Sequence, residues 1–139
     1  MSLMPKRVKY RKSHRGRIHG DATRGNYVAY GEYGIMALEP GWIKANQLEA
    51  ARVALSRSIG NVGRYWCRVF PHKSVSAKPA ETRQGGGKGD IFFWCTVVKP
   101  GTILFELGGV SESIAKEAFR LQAGKLPIRV KFVARRPTV

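Results

Sequence analysis

The chain has 139 residues, 43 % of them hydrophobic, which is enough for one folded domain with a core and too apolar for a merely disordered basic tail. Its 25 Lys and Arg against 9 Asp and Glu give a formal charge of +16, a self-repulsion that implies a polyanionic partner. There is no 18-residue apolar run, no apolar segment behind the basic start, and no spaced Cys/His set, so a membrane-spanning chain, a secreted disulfide scaffold and a zinc domain are all disfavoured.

Residues 1–26 carry Lys6, Arg7, Lys9, Arg11, Lys12, Arg15, Arg17 and Arg24 against the single acid Asp21. Apolar residues there are sparse and follow no period, which predicts an extended basic arm ordered by its partner. A single α+β domain is expected over 27–136, with 137–139 as a tail. Tyr27–Tyr30 reads as a first strand, with Gly31 and Gly34 as breaks. Over 45–59, Leu48, Ala51, Leu55 and Ile59 recur with helical spacing, and Asn46 with Glu49 suggests a capping box. From Arg64 to Phe70 the residues alternate, with Tyr65, Cys67 and Val69 on one face and Trp66 and Phe70 with the arginines on the other.

Residues 71–90 are the least regular stretch and contain Gly85-Gly86-Gly87-Lys88-Gly89, the pattern of a loop that is either functional or disordered: an idle hairpin tip, or a pliable finger whose backbone approaches RNA, which the flanking Arg83 and Lys88 favour. Ile91–Val98 reads as a buried central strand, Pro100-Gly101 as a turn, and Thr102–Leu107 as the return strand of a hairpin. Ser111 is a candidate cap for a second helix with Ile114, Ala118 and Leu121 on one face and a Glu112–Lys116 pair. Ile128, Val130 and Phe132 alternate with Arg129 and Lys131 in a last strand. The expected fold is α+β, with two helices packed on a largely antiparallel sheet in a sandwich whose connections are of hairpin type.

The chemistry of catalysis is sparse. The acids are scattered, and a pairing of His72 with Cys67 or Cys95 has nothing further to support it. In the glycine loop Lys88 precedes Gly89 where a phosphate-binding P-loop needs Ser or Thr, and a strand follows where a helix is required. No enzyme, cofactor or metal is expected. The basic arm, the segment from His72 to Lys88 and the end from Arg120 to Arg136 instead form three positive regions. Tyr10, Trp66 and Phe70 lie among these charges as planes on which unpaired bases could stack. No helix-turn-helix, zinc-finger or basic-zipper pattern is present, which favours RNA over DNA.

Several strings carry a resemblance: Met4-Pro5-Lys6-Arg7, Lys9-Tyr10-Arg11-Lys12 with His14-Arg15-Gly16, and Tyr30-Gly31-Glu32-Tyr33-Gly34 followed by Ala37-Leu38-Glu39-Pro40. Leu48-Glu49-Ala50-Ala51-Arg52, Val69-Phe70-Pro71-His72-Lys73, Lys78-Pro79-Ala80-Glu81, the loop Arg83–Gly89, and Leu126-Pro127-Ile128 with Lys131-Phe132-Val133 continue it in order. Together they resemble the bacterial-type large-subunit ribosomal protein family numbered sixteen. The resemblance implies a structural subunit of a cytoplasmic ribosome, an organellar one being less favoured. It also implies binding of 23S rRNA near the central protuberance by Lys6, Arg7, Lys9, Arg11, Lys12, His14, Arg15 and Arg17. Arg83, Gln84, Gly85 and Lys88 would form a loop tip near A-site transfer RNA in the peptidyl-transferase region. P-site transfer RNA, 5S rRNA and neighbouring large-subunit proteins are further implied partners. The sequence departs from the family's usual pattern at Ser74, where proline is common, at Lys44 in place of a helix-capping Thr or Ser, and at Gln84 and Gly86 in the loop. The competing expectation is a free-standing basic RNA-binding assembly factor or RNA chaperone.

Overall fold

The computed structural model describes residues 4–77, 85 and 87–135. In chain order its elements are β1 (Tyr33–Ala37), β2 (Gly41–Lys44), α1 (Ala45–Ile59), β3 (Arg64–Cys67), β4 (Lys73–Ala77), β5 (Asp90–Val98), β6 (Ile103–Gly108), α2 (Glu112–Ala123) and β7 (Val130–Ala134). The α+β expectation is borne out, but the strands form two antiparallel sheets, one ordered β3-β6-β1-β7 and the other β2-β5-β4.

The expected hairpin between Ile91–Val98 and Thr102–Leu107 does not form, because β5 and β6 lie in different sheets. At the Pro100-Gly101 turn, Gly101 N–H donates to Ala37 O (2.8 Å) and Ala37 N–H donates to Thr102 O (2.8 Å). These bonds lead the chain onto β1 and away from β5. Strand β5 is nonetheless central in its sheet, between β2 and β4. Its second half is buried through Trp94, Cys95, Thr96 and Val98, whereas Phe92 in its first half is 72 % exposed, a departure from the fully buried strand expected. The irregular stretch after Pro71 contains an unforeseen strand, β4, antiparallel to β5. Polar Lys73, Ser74 and Ser76 masked it.

Helix α1 spans 45–59 as its periodicity predicts, and its buried residues are Leu48, Ala51, Leu55 and Ile59. Each such Leu or Ile stabilises the fold by about 1.5–3 kcal/mol. Its cap is not Asn46: the helix starts after Lys44, whose N–H donates to Gln47 Oε1 at 2.9 Å. In α2 the Ser111 cap is borne out, with Ile114 N–H donating to its Oγ at 3.4 Å, and Glu112 pairs with Lys116 at 3.2 Å. The expected apolar face is off by one residue, however. Ala115, Ala118, Phe119 and Gln122 are buried, while Ile114 and Leu121 are each 46 % exposed. Gln122 is tolerated inside because its Nε2 donates to Ala51 O of α1 at 3.0 Å. The two helices and the inner faces of both sheets share one core that includes Ile35, Ile43, Val98, Phe105 and Leu107.

Tyr27–Tyr30 is not a strand; it crosses the other face of the four-stranded sheet as an irregular segment with Val28 buried. Gly31 marks the closest approach there. A Cβ at this position would lie 2.8 Å from the Leu107 carbonyl carbon, nearer still to its oxygen, and 3.1 Å from the Trp66 ring. Gly31→Ala should therefore lower stability by about 1–3 kcal/mol through backbone displacement, read as a fall in the urea midpoint at unchanged m-value. An unchanged midpoint would show that the segment yields freely.

Candidate nucleic-acid interface

The arm forms no helix or strand over its described residues, yet it is tied to the three-stranded sheet through its backbone. Lys88 Nζ donates to Ser13 O at 2.6 Å and Lys12 Nζ to Lys88 O at 3.3 Å. Lys73 Nζ donates to Arg15 O, and the Ser74 hydroxyl donates to Arg11 O. Farther along, Ala22 N–H donates to Pro100 O at 2.9 Å. The carbonyls of Arg11, Ser13 and Arg15 thus face the fold, while the arm's cationic side chains other than Lys12 make no hydrogen bond to it among the described residues. Lys6, Arg7, Lys9, Arg11, Lys12, His14, Arg15 and Arg17 are all exposed. Among the described residues, none of these side chains has a carboxylate partner, whereas Arg52, Arg68, Lys116, Arg120 and Arg129 each do.

The bonds of Lys12 and Lys88 bring together two groups that looked separate in the sequence. The arm and the foot of the glycine loop make one continuous basic surface, with a groove between Lys9, Tyr10, Arg11, Lys12, Asp90 and Ile91. Gly85 and Gly87 have φ of 87° and 89°, a backbone that an L side chain adopts only with strain. Arg83 and Gln84 lie outside the described residues. Tyr10 is exposed with Lys9 5.6 Å from its ring, and Phe70 is exposed as well. On β2, β4 and β5, Lys73 sits 4.8 Å over Trp42 and Lys44 sits 4.7 Å over Phe93. Alternating cations and aromatic planes suit phosphates and bases together.

A second constellation lies on the four-stranded sheet, and its organiser is Glu106, which sequence reasoning missed. Its side chain is 0 % exposed. One carboxylate oxygen accepts the N–H groups of Ala29 (3.0 Å), Tyr30 (2.8 Å) and Gly31 (2.9 Å), and the other pairs with Arg68. Burial works to raise its pKa, but the Gly31 N–H, the Arg68 guanidinium and the Tyr30 N–H outweigh it and hold the carboxyl below its ordinary value. The available signal was a lone acid inside the otherwise apolar run Ile103–Leu107, where a buried charge must find a partner. Arg68 in turn lies 5.0 Å from the Tyr30 ring centroid, and Tyr30 stacks with Trp66 at 6.3 Å and 25°.

Neither cysteine is set up as a nucleophile. Burial pushes both the Cys67 and Cys95 thiols up, and they belong to strands of different sheets. His72 Nδ1 is engaged 3.1 Å from Phe70 O. Among the described residues, no three His, Cys, Asp or Glu side chains come together as metal ligands, and no helix is long and apolar enough to cross a membrane.

The family model described as ribosomal protein L16p/L10e matches residues 5–133. The match takes in the arm, both sheets and both helices.

Proposed function

The chain belongs to the ribosomal protein L16p/L10e family, a structural constituent of the large ribosomal subunit, and on that premise we propose that its basic arm binds 23S rRNA. The observation that carries this reading is the arm's geometry. Its carbonyls are engaged by Ser74, Lys73 and Lys88, so the exposed cations project from a seated backbone and meet phosphates at reduced entropic cost. Lys6, Arg7, Lys9, Arg11, Lys12, His14, Arg15 and Arg17 are the proposed contacts.

The foot of the glycine loop continues this surface, and Gly85 and Lys88, with Arg83 and Gln84, are proposed to approach A-site transfer RNA. P-site transfer RNA and 5S rRNA are further partners of the same proposal. The protein's part is to order RNA and place its ligands, the reaction itself belonging to the RNA.

The test is sedimentation of native lysate through sucrose at low and high salt, with blotting for this chain. Recovery in large subunits and whole ribosomes, with release only at high salt, is expected. Recovery only in light fractions, or only in precursor particles, would replace the structural subunit with a free RNA-binding assembly factor.

A further inference from the structure

The constellation around Glu106 lies away from the arm, on the four-stranded sheet, and nothing in the proposed arm and loop contacts uses it. Tyr30 is 63 % exposed although its backbone is pinned by Glu106 and its ring leans on Trp66. Trp66 itself is seated against Gly31 and Gly108, where a Cβ would come within 3.1 Å and 3.2 Å of its ring. An exposed aromatic ring held this firmly has already lost the rotamer freedom that a binding event would otherwise have to remove.

Depressions open on either side of the Tyr30–Trp66 pair. One, of about 620 Å³, is bounded by Arg52 and Arg68 together with Tyr65 and Cys67. The other, of about 320 Å³, is bounded by Arg64 and Arg135, with Glu32 as the acid on its lining. Arg52 and Arg68 are neutralised by Glu49 and Glu106 and fixed in direction. Arg64 and Arg135 are exposed and have no carboxylate partner among the described residues. Two aromatic planes flanked by two oriented and two unneutralised guanidinium groups match a ligand that is flat, aromatic and anionic along one side. A neutral apolar protein surface would leave Arg64 and Arg135 uncompensated.

We infer that Tyr30 and Trp66 form a stacking platform for an unpaired RNA base, with Arg64 and Arg135 taking the adjoining phosphates. This inference rests on the RNA-binding reading and adds to it a site that recognises bases and not only backbone. Duplex RNA keeps its bases stacked on one another, so the platform selects a bulged or looped nucleotide.

The test compares the affinities of the full chain for a short single-stranded oligoadenylate and for an abasic ribose-phosphate strand of equal length. The wild-type chain should prefer the base-bearing strand by roughly tenfold or more. Tyr30→Ala should abolish that preference while leaving binding of the abasic strand and its salt dependence unchanged, and Tyr30→Phe should keep it. Equal binding of both strands by the wild-type chain, or a preference that survives Tyr30→Ala, overturns the platform while leaving the arm's RNA binding intact. Failure to bind either strand, or large-subunit RNA, in a salt-dependent manner overturns both readings. Tyr30-dependent binding of oligoglutamate in preference to oligoadenylate would also overturn the platform, in favour of an acidic peptide.

Discussion

Glu106→Ala is expected to destabilise the protein by about 3–5 kcal/mol, the cost typical of breaking a buried ion pair from one side. The substitution leaves Arg68, whose side chain is only 17 % exposed, without its counter-charge, and it orphans the N–H groups of Ala29, Tyr30 and Gly31 together. Against a total stability of about 5–15 kcal/mol for a domain of ordinary size, this is a large fraction. Arg68→Ala should cost less, because Glu106 then keeps three backbone donors, and the two effects should be less than additive since they share one network. Urea unfolding of both single variants and the double variant measures all three quantities. A Glu106→Ala midpoint within error of wild type would mean that the carboxylate organises nothing.

The same group sets a pH dependence. The folded-state pKa of Glu106 lies below the ordinary value of 4.5, so its stabilisation is fully present above pH 4.5 and is lost as pH falls through the lower folded value. The stability difference between wild type and Glu106→Gln should accordingly be constant above that point and shrink below it. Glu49 and Glu117 are also held low, by Arg52 and Arg120 respectively, but they are unchanged in this comparison and cancel.

Local order was legible wherever one element satisfies its own pattern. Leu48, Ala51, Leu55 and Ile59 face the core because helical geometry alone gathers them, and Ser111 caps α2 because a hydroxyl there meets unpaired N–H groups. Partnership between distant segments was not legible. Pro100-Gly101 reads as the same turn whether the following strand pairs with β5 or crosses to β1, and the choice is made by Ala37, more than sixty residues upstream. Tyr27–Tyr30 has strand composition but spends the N–H groups of Ala29 and Tyr30 on a carboxylate, which removes them from any ladder. In α2 the displaced face has a similar origin: Gln122 is polar by type and buried by virtue of Ala51 O, which no pattern within α2 could announce. The arm's cations were identifiable as a contact surface from composition, yet their union with Lys88 depends on backbone bonds that charge counting does not register. Glu106 pairs with no other acid, so spacing between carboxylates does not reveal it; its signal is its isolation among buried apolar residues.

Replacing Lys6, Arg7, Lys9, Arg11, Lys12, Arg15 and Arg17 by Ser should lower the salt slope of RNA binding by roughly 5–6, leaving only the share of the remaining cations. A protein that neutralises six or more phosphates loses roughly 10³–10⁵ in affinity between about 50 and 200 mM salt, and these seven cations are exposed and without carboxylate partners among the described residues. The substitutions remove the Lys12 bond to Lys88 O but spare those that Lys73, Ser74 and Lys88 make to arm carbonyls, so three of the arm's anchors stay while its charge is removed. Single changes calibrate the series: Lys9→Ala or Arg11→Ala should lower the salt slope by about 1 each with no change in sequence preference. Ser74→Ala is the converse control. It removes the hydroxyl that holds Arg11 O and leaves every charge in place, so affinity should fall at low and high salt alike, with the slope preserved. If the seven-fold variant retained the wild-type slope, the arm would not be touching phosphates, and the seated backbone would be a feature of the fold with no share in RNA binding.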